Sequence, residues 1–206
     1  MTPEEQRSVS SGTLAHYERD PEGFWQGTRD HDVSQNYAAL LSHIARPAPL
    51  AVLDLGCGPG RDLAYFSSLG HHAVGVDGCA SFCEMARAHA GCDVLHQDFL
   101  ALDLPQAHFD GVFANASLFH VPSSALPQVL VKLRDCLRPG GVLFCSNPRG
   151  PDRQGWSNGR YGCFWSLETW RTFLEAAGFT ELEHYYRPAG LPRDQQPWLA
   201  TVWRRR

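Results

Sequence analysis

From Leu50 onward, short apolar runs alternate with stretches whose apolar residues fall at helical spacing. The runs predict strands at 51–55, 72–77, 92–97, 109–114 (ending at Asn115) and 142–146. Helices are predicted between them, over 61–69, 80–90 and 123–137. Gly70, Gly91 and Arg138-Pro139-Gly140-Gly141 supply the stops. Glycine accepts the left-handed backbone that closes a helix, and proline cannot continue one. A polar, aromatic loop follows over 147–165, with enough glycine to act as a moving lid. Ser166 then caps a helix through 177, and Gly178 ends it. Segments 179–186 and 198–203 predict two last strands, antiparallel neighbours at one edge. Upstream, Tyr37 to Ile44 has helical spacing after Asp32 or Ser34 as N-cap, with Pro47 as the stop. The alternation predicts an α/β, doubly wound sheet with right-handed crossovers. Residues 1–48 read as a helical cap over the pocket and 49–206 as the core, in one compact domain.

The most informative turn follows the first strand: Val52-Leu53-Asp54-Leu55-Gly56-Cys57-Gly58-Pro59-Gly60-Arg61. A strand that feeds a helix through such a turn builds a nucleotide-type pocket at the carboxyl edge of the sheet. The spacing is Gly-x-Gly-x-Gly, whereas a dinucleotide pocket uses Gly-x-Gly-x-x-Gly to seat a pyrophosphate. S-adenosylmethionine has no phosphate and carries a sulfonium cation, so its pocket wants backbone room and acidic neighbours. Asp54 is one such neighbour. Asp77 ends the next apolar run, at the distance suited to a ribose diol. Asp98 follows a third run and is a candidate acceptor for an adenine amino group.

Composition narrows the class further. A chain of 206 residues with 43% hydrophobic and 19% charged residues is long enough for one sizeable core. The net charge of −4 gives no general attraction to nucleic acid, and Arg204-Arg205-Arg206 reads as a solvated tail. No apolar stretch nears the ~20 residues that span a bilayer, and no signal-peptide core is seen. The expectation is a soluble cytoplasmic protein without a membrane partner. The 7 cysteines form no Cys-x-x-Cys, and Cys79 with Cys83 lacks a matching pair, so no metal is expected.

Leu53 to Gly60, the Asp77 strand end, Gln97-Asp98-Phe99, Phe109-Asp110-Gly111-Val112 and Leu137 to Gly141 together resemble a class I S-adenosylmethionine-dependent methyltransferase. The resemblance implies a Rossmann-like, seven-stranded, mostly parallel sheet in the order 3-2-1-4-5-7-6, with helices on both faces. Three flanking segments resemble something narrower: Phe24 to Asn36, Ser146-Asn147-Pro148-Arg149-Gly150 and His184 to Pro192. They are similar to the methyltransferase domain of ovothiol synthase. That implies methylation of 5-thiohistidine on the imidazole Nπ to give ovothiol A, with a sulfoxide synthase or lyase of the same pathway as partner. A freestanding enzyme and an excised domain both remain open.

Position and resemblance assign the cofactor to Asp54, Gly56, Cys57, Gly58, Arg61, Asp77, Gly78, Asp98, Phe99, Asn115 and Ser117. His120 follows the fourth strand and is a candidate general base, although a packed histidine fits the pattern equally well. His31 and Tyr185 are further candidates for proton transfer. An amino-acid acceptor wants arginine for its carboxylate, and Arg149, Arg160 and Arg187 lie in suitable loops. Its ammonium wants Asp32, Asn36 or Asn147, and its flat ring an aromatic wall from Trp25, Tyr161, Tyr185 or Tyr186. Two alternatives stand beside this reading: a methyltransferase of another small metabolite, and a non-catalytic domain that binds S-adenosylmethionine.

Overall fold

The strand Ala51–Leu55 (β1) is buried at every position, as a central parallel strand covered by helices on both faces must be. The computed structural model describes all 206 residues. Around β1 lie His72–Asp77 (β2), Asp93–His96 (β3), Phe109–Asn115 (β4) and Leu137–Pro148 (β5). A hairpin follows, Arg153–Ser157 (β6) with Arg160–Phe164 (β7), and then Phe179–Arg187 (β8) and Trp198–Arg205 (β9). The main sheet runs β3-β2-β1-β4-β5-β9-β8. Its first five strands are parallel, and β9 pairs antiparallel with both β5 and β8. With the separate hairpin set aside, this is the 3-2-1-4-5-7-6 order expected from the sequence.

The helices are Pro3–Tyr17 (α1), Pro21–Thr28 (α2), Ser34–His43 (α3), Arg61–Ser68 (α4), Ala80–Ala90 (α5), Leu126–Cys136 (α6) and Leu167–Ala176 (α7). Period-two side-chain alternation sorts the core onto two faces. Leu53, Leu55, Val112, Ala114 and Trp203 pack with α6 and α7. Val52, Phe113, Phe144 and Val202 pack with α3, α4 and α5. Strand order reverses on either side of β1, which opens a crevice at the carboxyl ends of β1 and β4. No helix is long and apolar enough to cross a membrane.

Two expectations need correction. The 147–165 segment is a docked hairpin rather than a free lid. Asn158 (φ 49°) and Gly159 (φ 77°) form its two-residue turn, both in the left-handed region that a type I′ hairpin turn requires. The hairpin sits on α1, where the Tyr161 N–H donates to the Thr13 hydroxyl at 3.1 Å. The N-terminal region holds two helices ahead of α3, and α1 opens with a reciprocal capping box between Thr2 and Glu5. Only Val9 and Thr13 of α1 are buried, so its apolar residues trace no stripe along one face. The N-cap of α3 is Val33, without a side-chain bond, while the Asp32 carboxylate accepts from the Ser34 N–H at 2.9 Å.

Asp110 pins the amino end of the sheet. Its buried carboxylate accepts from the Ala51 N–H at 2.8 Å, from Arg138 at 2.6 Å and from Arg46 at 3.0 Å. Burial pushes its pKa up, but the Ala51 N–H and the two guanidinium groups outweigh this and hold it below the ordinary value. The folded pKa is thus depressed. Its contribution is complete above the unfolded value of about 4 and is lost as pH falls below it. Asp110→Asn should lower urea stability at neutral pH by about 1–3 kcal/mol and flatten the acid limb of the stability curve.

Candidate functional site

The glycine turn is closed by backbone hydrogen bonds. The N–H groups of Gly56 and Cys57 donate to the Val76 carbonyl at 2.7 and 3.1 Å, locking the end of β1 to β2. Gly56 (φ 74°) needs glycine twice over, since a Cβ there would also strike the Ser117 side chain. The Asp77 carboxylate accepts from the Gly58 N–H at 2.9 Å and from the Cys79 N–H at 2.8 Å. Burial raises its pKa against the pull of those N–H groups. Asp54 lies beneath the turn, with one carboxylate oxygen buried and unpartnered. Burial pushes its carboxyl well above the ordinary value, and the nearby Asp62 and Asp77 add to the rise.

A cavity extends from this turn toward Asp77, Gly78, Asp98 and Phe99. Helix α1 roofs it with Ser10, Thr13, Leu14 and Tyr17, and Phe24 and Phe82 flank it. The Ser10 hydroxyl donates to Asp98 at 2.7 Å, while the other Asp98 oxygen accepts from the Leu100 N–H at 2.9 Å. The Ser117 hydroxyl is buried at the cavity wall and has no partner. On the other side of the turn lies an open cleft of about 710 Å³, within the range of small-molecule sites. Trp25, His31, Asp32, Cys57, Arg61, Asp62, Asn115, Phe119, Arg160 and Arg187 line it.

The candidates divide between these spaces. Gly56, Gly58, Asp77, Gly78, Asp98, Phe99, Ser117 and His120 border the cavity. Trp25, His31, Asp32, Cys57, Arg61, Asn115, Arg160 and Arg187 border the cleft. Seven candidates stand in neither wall: Asn36, Asp54, Asn147, Arg149, Tyr161, Tyr185 and Tyr186. Arg149 is turned away onto the carbonyls of Gln196 and Arg193, and its guanidinium lies 5.5 Å from the Tyr186 ring centroid. Arg193 covers Tyr186 at 3.2 Å. The Tyr161 ring packs with Val9 and Cys163. Asn147 is buried on β5 opposite Leu199 of β9, with its side-chain oxygen unpartnered. Asn36 is wholly buried and accepts from the Tyr185 hydroxyl at 2.9 Å. Burial raises the Tyr185 phenol, so it stays protonated and is no base for the cleft.

Behind the cleft those residues form one polar chain. Asn36 donates to Asn115 at 3.0 Å, and Asn115 donates to Asp62 at 3.1 Å. Asp62 also accepts from the Tyr37 hydroxyl at 2.6 Å and from Arg61 at 2.6 and 3.0 Å. Arg61 reaches on to the Thr28 carbonyl at 2.8 Å. The candidate base His120 is similarly occupied. Its Nδ1 faces the Tyr161 carbonyl at 2.6 Å and its Nε2 the Tyr17 hydroxyl at 2.8 Å. A carbonyl only accepts, so Nδ1 carries the proton and Nε2 accepts from Tyr17. Burial pushes the His120 pKa down to about 4, which keeps the ring neutral. Tyr17, Phe24, Asp62 and Ser10 were not singled out from the sequence. Asp62, an acidic residue in the first turn of the helix after the glycines, carried the only local signal.

Residues 52–141 match the family model described as a methyltransferase domain. The chain has the fold of the class I methyltransferases. It is 36% identical over 115 residues to a trans-aconitate 2-methyltransferase of Azoarcus sp., an alignment covering 55% of this chain and 45% of that protein. It is 33% identical over 111 residues to an uncharacterized methyltransferase of Mycobacterium tuberculosis, covering 52% and 55%. The chain thus spans about half the length of the curated relatives it matches. Among solved structures, it superposes on a Burkholderia thailandensis 1,6-didemethyltoxoflavin-N1-methyltransferase with a TM-score of 0.80. That match has 26% identity and covers 100% of this chain and 91% of the other. The Burkholderia structure contains 1,6-didemethyltoxoflavin and S-adenosylhomocysteine. No group of three or more His, Cys, Asp or Glu in the methyltransferase domain or its flanks is placed to hold a metal ion.

The polar chain makes a graded prediction for urea denaturation. Tyr37→Phe removes one donor from Asp62 and should cost about 1–2 kcal/mol. Asp62→Ala strands the Arg61 guanidinium and the Asn115 amide together, and should cost about 3–5 kcal/mol.

Proposed function

We propose that this chain transfers a methyl group from S-adenosylmethionine to a small polar metabolite. The observation that carries the reading is the glycine turn tied to Asp77, which opens on a cavity lined by Asp98 and Phe99. The residues present suit the cofactor. Gly56 leaves backbone room, Ser117 and Asp54 offer unpartnered buried oxygens, and Asp77 keeps lone pairs free for a ribose diol. Asp98, once released by Ser10, would accept from the adenine amino group beside Phe99. The cofactor supplies an electrophilic methyl on a sulfonium. The protein contributes position, holding the acceptor about 3–3.5 Å away and in line, with no covalent enzyme intermediate.

For the acceptor we propose 5-thiohistidine, methylated on Nπ to give ovothiol A. The flanking segments 24–36, 146–150 and 184–192 support this through their resemblance, and a sulfoxide synthase or lyase would then supply the thiohistidine. The cleft supports it chemically. Arg187, held on the Asp32 carbonyl at 2.6 Å, suits a carboxylate, and Trp25 and Phe119 offer flat walls to a ring.

A mass-spectrometric assay with S-adenosylmethionine should offer 5-thiohistidine beside histidine and unrelated thiols. The expected result is one added methyl on 5-thiohistidine alone. Cofactor binding with 5-thiohistidine left unmethylated would end the acceptor assignment and leave the methyltransferase reading standing. Asp77→Ala should weaken S-adenosylmethionine binding by about tenfold or more, or about 1.4 kcal/mol, in calorimetry.

A further inference from the structure

Five residues border both the cavity and the open cleft: Tyr17, Phe24, Gly56, Gly58 and Ala116. They ring the aperture through which an acceptor in the cleft would meet the methyl group. Tyr17 alone among them has a polar side chain. Its single proton is committed to His120 Nε2, because His120 Nδ1 must serve the Tyr161 carbonyl. The Tyr17 oxygen in turn accepts from Arg160 at 3.1 Å, and the guanidinium lies 5.5 Å from the Tyr17 ring centroid. The aperture therefore carries a fixed positive charge one hydrogen bond away and no free proton acceptor.

We infer that the acceptor meets the methyl group as an anion, selected by Arg160 on the Tyr17 hydroxyl, and that His120 does not act as its base. The inference rests on the methyltransferase reading and adds the charge state of the substrate. An anion brings its own lone pair. That pair forms the new bond to the methyl carbon, the carbon–sulfur bond breaks with its electrons left on sulfur, and no proton is released. A base route through Tyr17 would instead leave an imidazolium on His120, enclosed beside Arg160. The other titratable groups around Tyr17 offer no substitute. Asp77 borders the cavity but not the cleft, and the His16 ring stands edge-on at 5.8 Å against Tyr17 and borders neither. His31 and Asp32 line the cleft but not the aperture, and both Asp62 oxygens are occupied.

The test starts with calorimetric binding of S-adenosylhomocysteine, whose failure would end the methyltransferase reading itself. With that ligand saturating, imidazole-4-carboxylate is compared with imidazole-4-carboxamide, two probes of one shape that differ in charge. The wild-type protein should prefer the carboxylate by about tenfold or more. Arg160→Gln should erase the preference and Arg160→Lys should keep most of it, with S-adenosylhomocysteine affinity reporting an intact fold in each. In ¹⁵N-histidine spectra, the His120 ring, assigned by its loss in His120→Gln, should stay in the Nδ1–H form across about pH 6–8. Equal affinity for the two probes, binding of neither, a preference that survives Arg160→Gln, or a His120 signal titrating in that range would each overturn the inference.

Discussion

The buried carboxylate of Asp62 is the joint on which the site depends. Its two oxygens accept from Tyr37 on α3, from Arg61 at the head of α4 and from Asn115 at the end of β4. Arg61 carries the connection to α2 through Thr28, and Asn36 carries it to β8 through Tyr185. A buried charge is tolerated only when its lone pairs are filled, so each of these elements is held at hydrogen-bond distance by the cost of leaving Asp62 unsatisfied. The helical cap, the glycine turn and the antiparallel edge meet at this one group. The cleft wall formed by Arg61, Asp62 and Asn115 is consequently rigid on the side that faces an acceptor.

Much of the sheet was legible because its signals are local. β2 and β4 are short apolar runs closed by Asp77 and Asn115, and α4 and α5 stop at Gly70 and Gly91, so β1, β2, β4 and α5 fall where the pattern puts them. The hairpin was legible too, in principle. Asn158-Gly159 between aromatic-rich arms is a strong turn signal, and it was masked by the neighbouring glycines that suggested mobility. Helix α1 was harder. Its Thr2-Pro3-Glu4-Glu5 start is a helix signal, but only Val9 and Thr13 are buried along its length, so periodicity says little.

The candidate site divides along the same line. Residues next to the glycine turn are set by the chain's own geometry, and Gly56, Gly58, Asp77 and Asp98 gather at one cavity. Residues distant in sequence gain their roles only through packing, which a list of residue types does not contain. Tyr17 meets His120 across 103 positions and Arg160 across 143. By residue type Tyr185 and Asn36 suit a ligand wall, but in the fold they are interior links that orient Asn115.

Charge is sorted across the aperture. Asp77 and Asp98 line the cavity with Asp54 beneath the turn, while Arg160 and Arg187 stand along the cleft, where Asp62 is paired with Arg61 and Asp32 is the one further carboxylate. The Asp77 carboxylate is buried and held by two N–H groups, so its field is less screened than that of a surface charge. A cationic methyl donor is favoured on the acidic side, and an electron-rich acceptor on the basic side. The glycines join the two sides by keeping the passage free of Cβ atoms. The Tyr17 hydroxyl marks it with a dipole whose proton points to His120 and whose oxygen is held by Arg160.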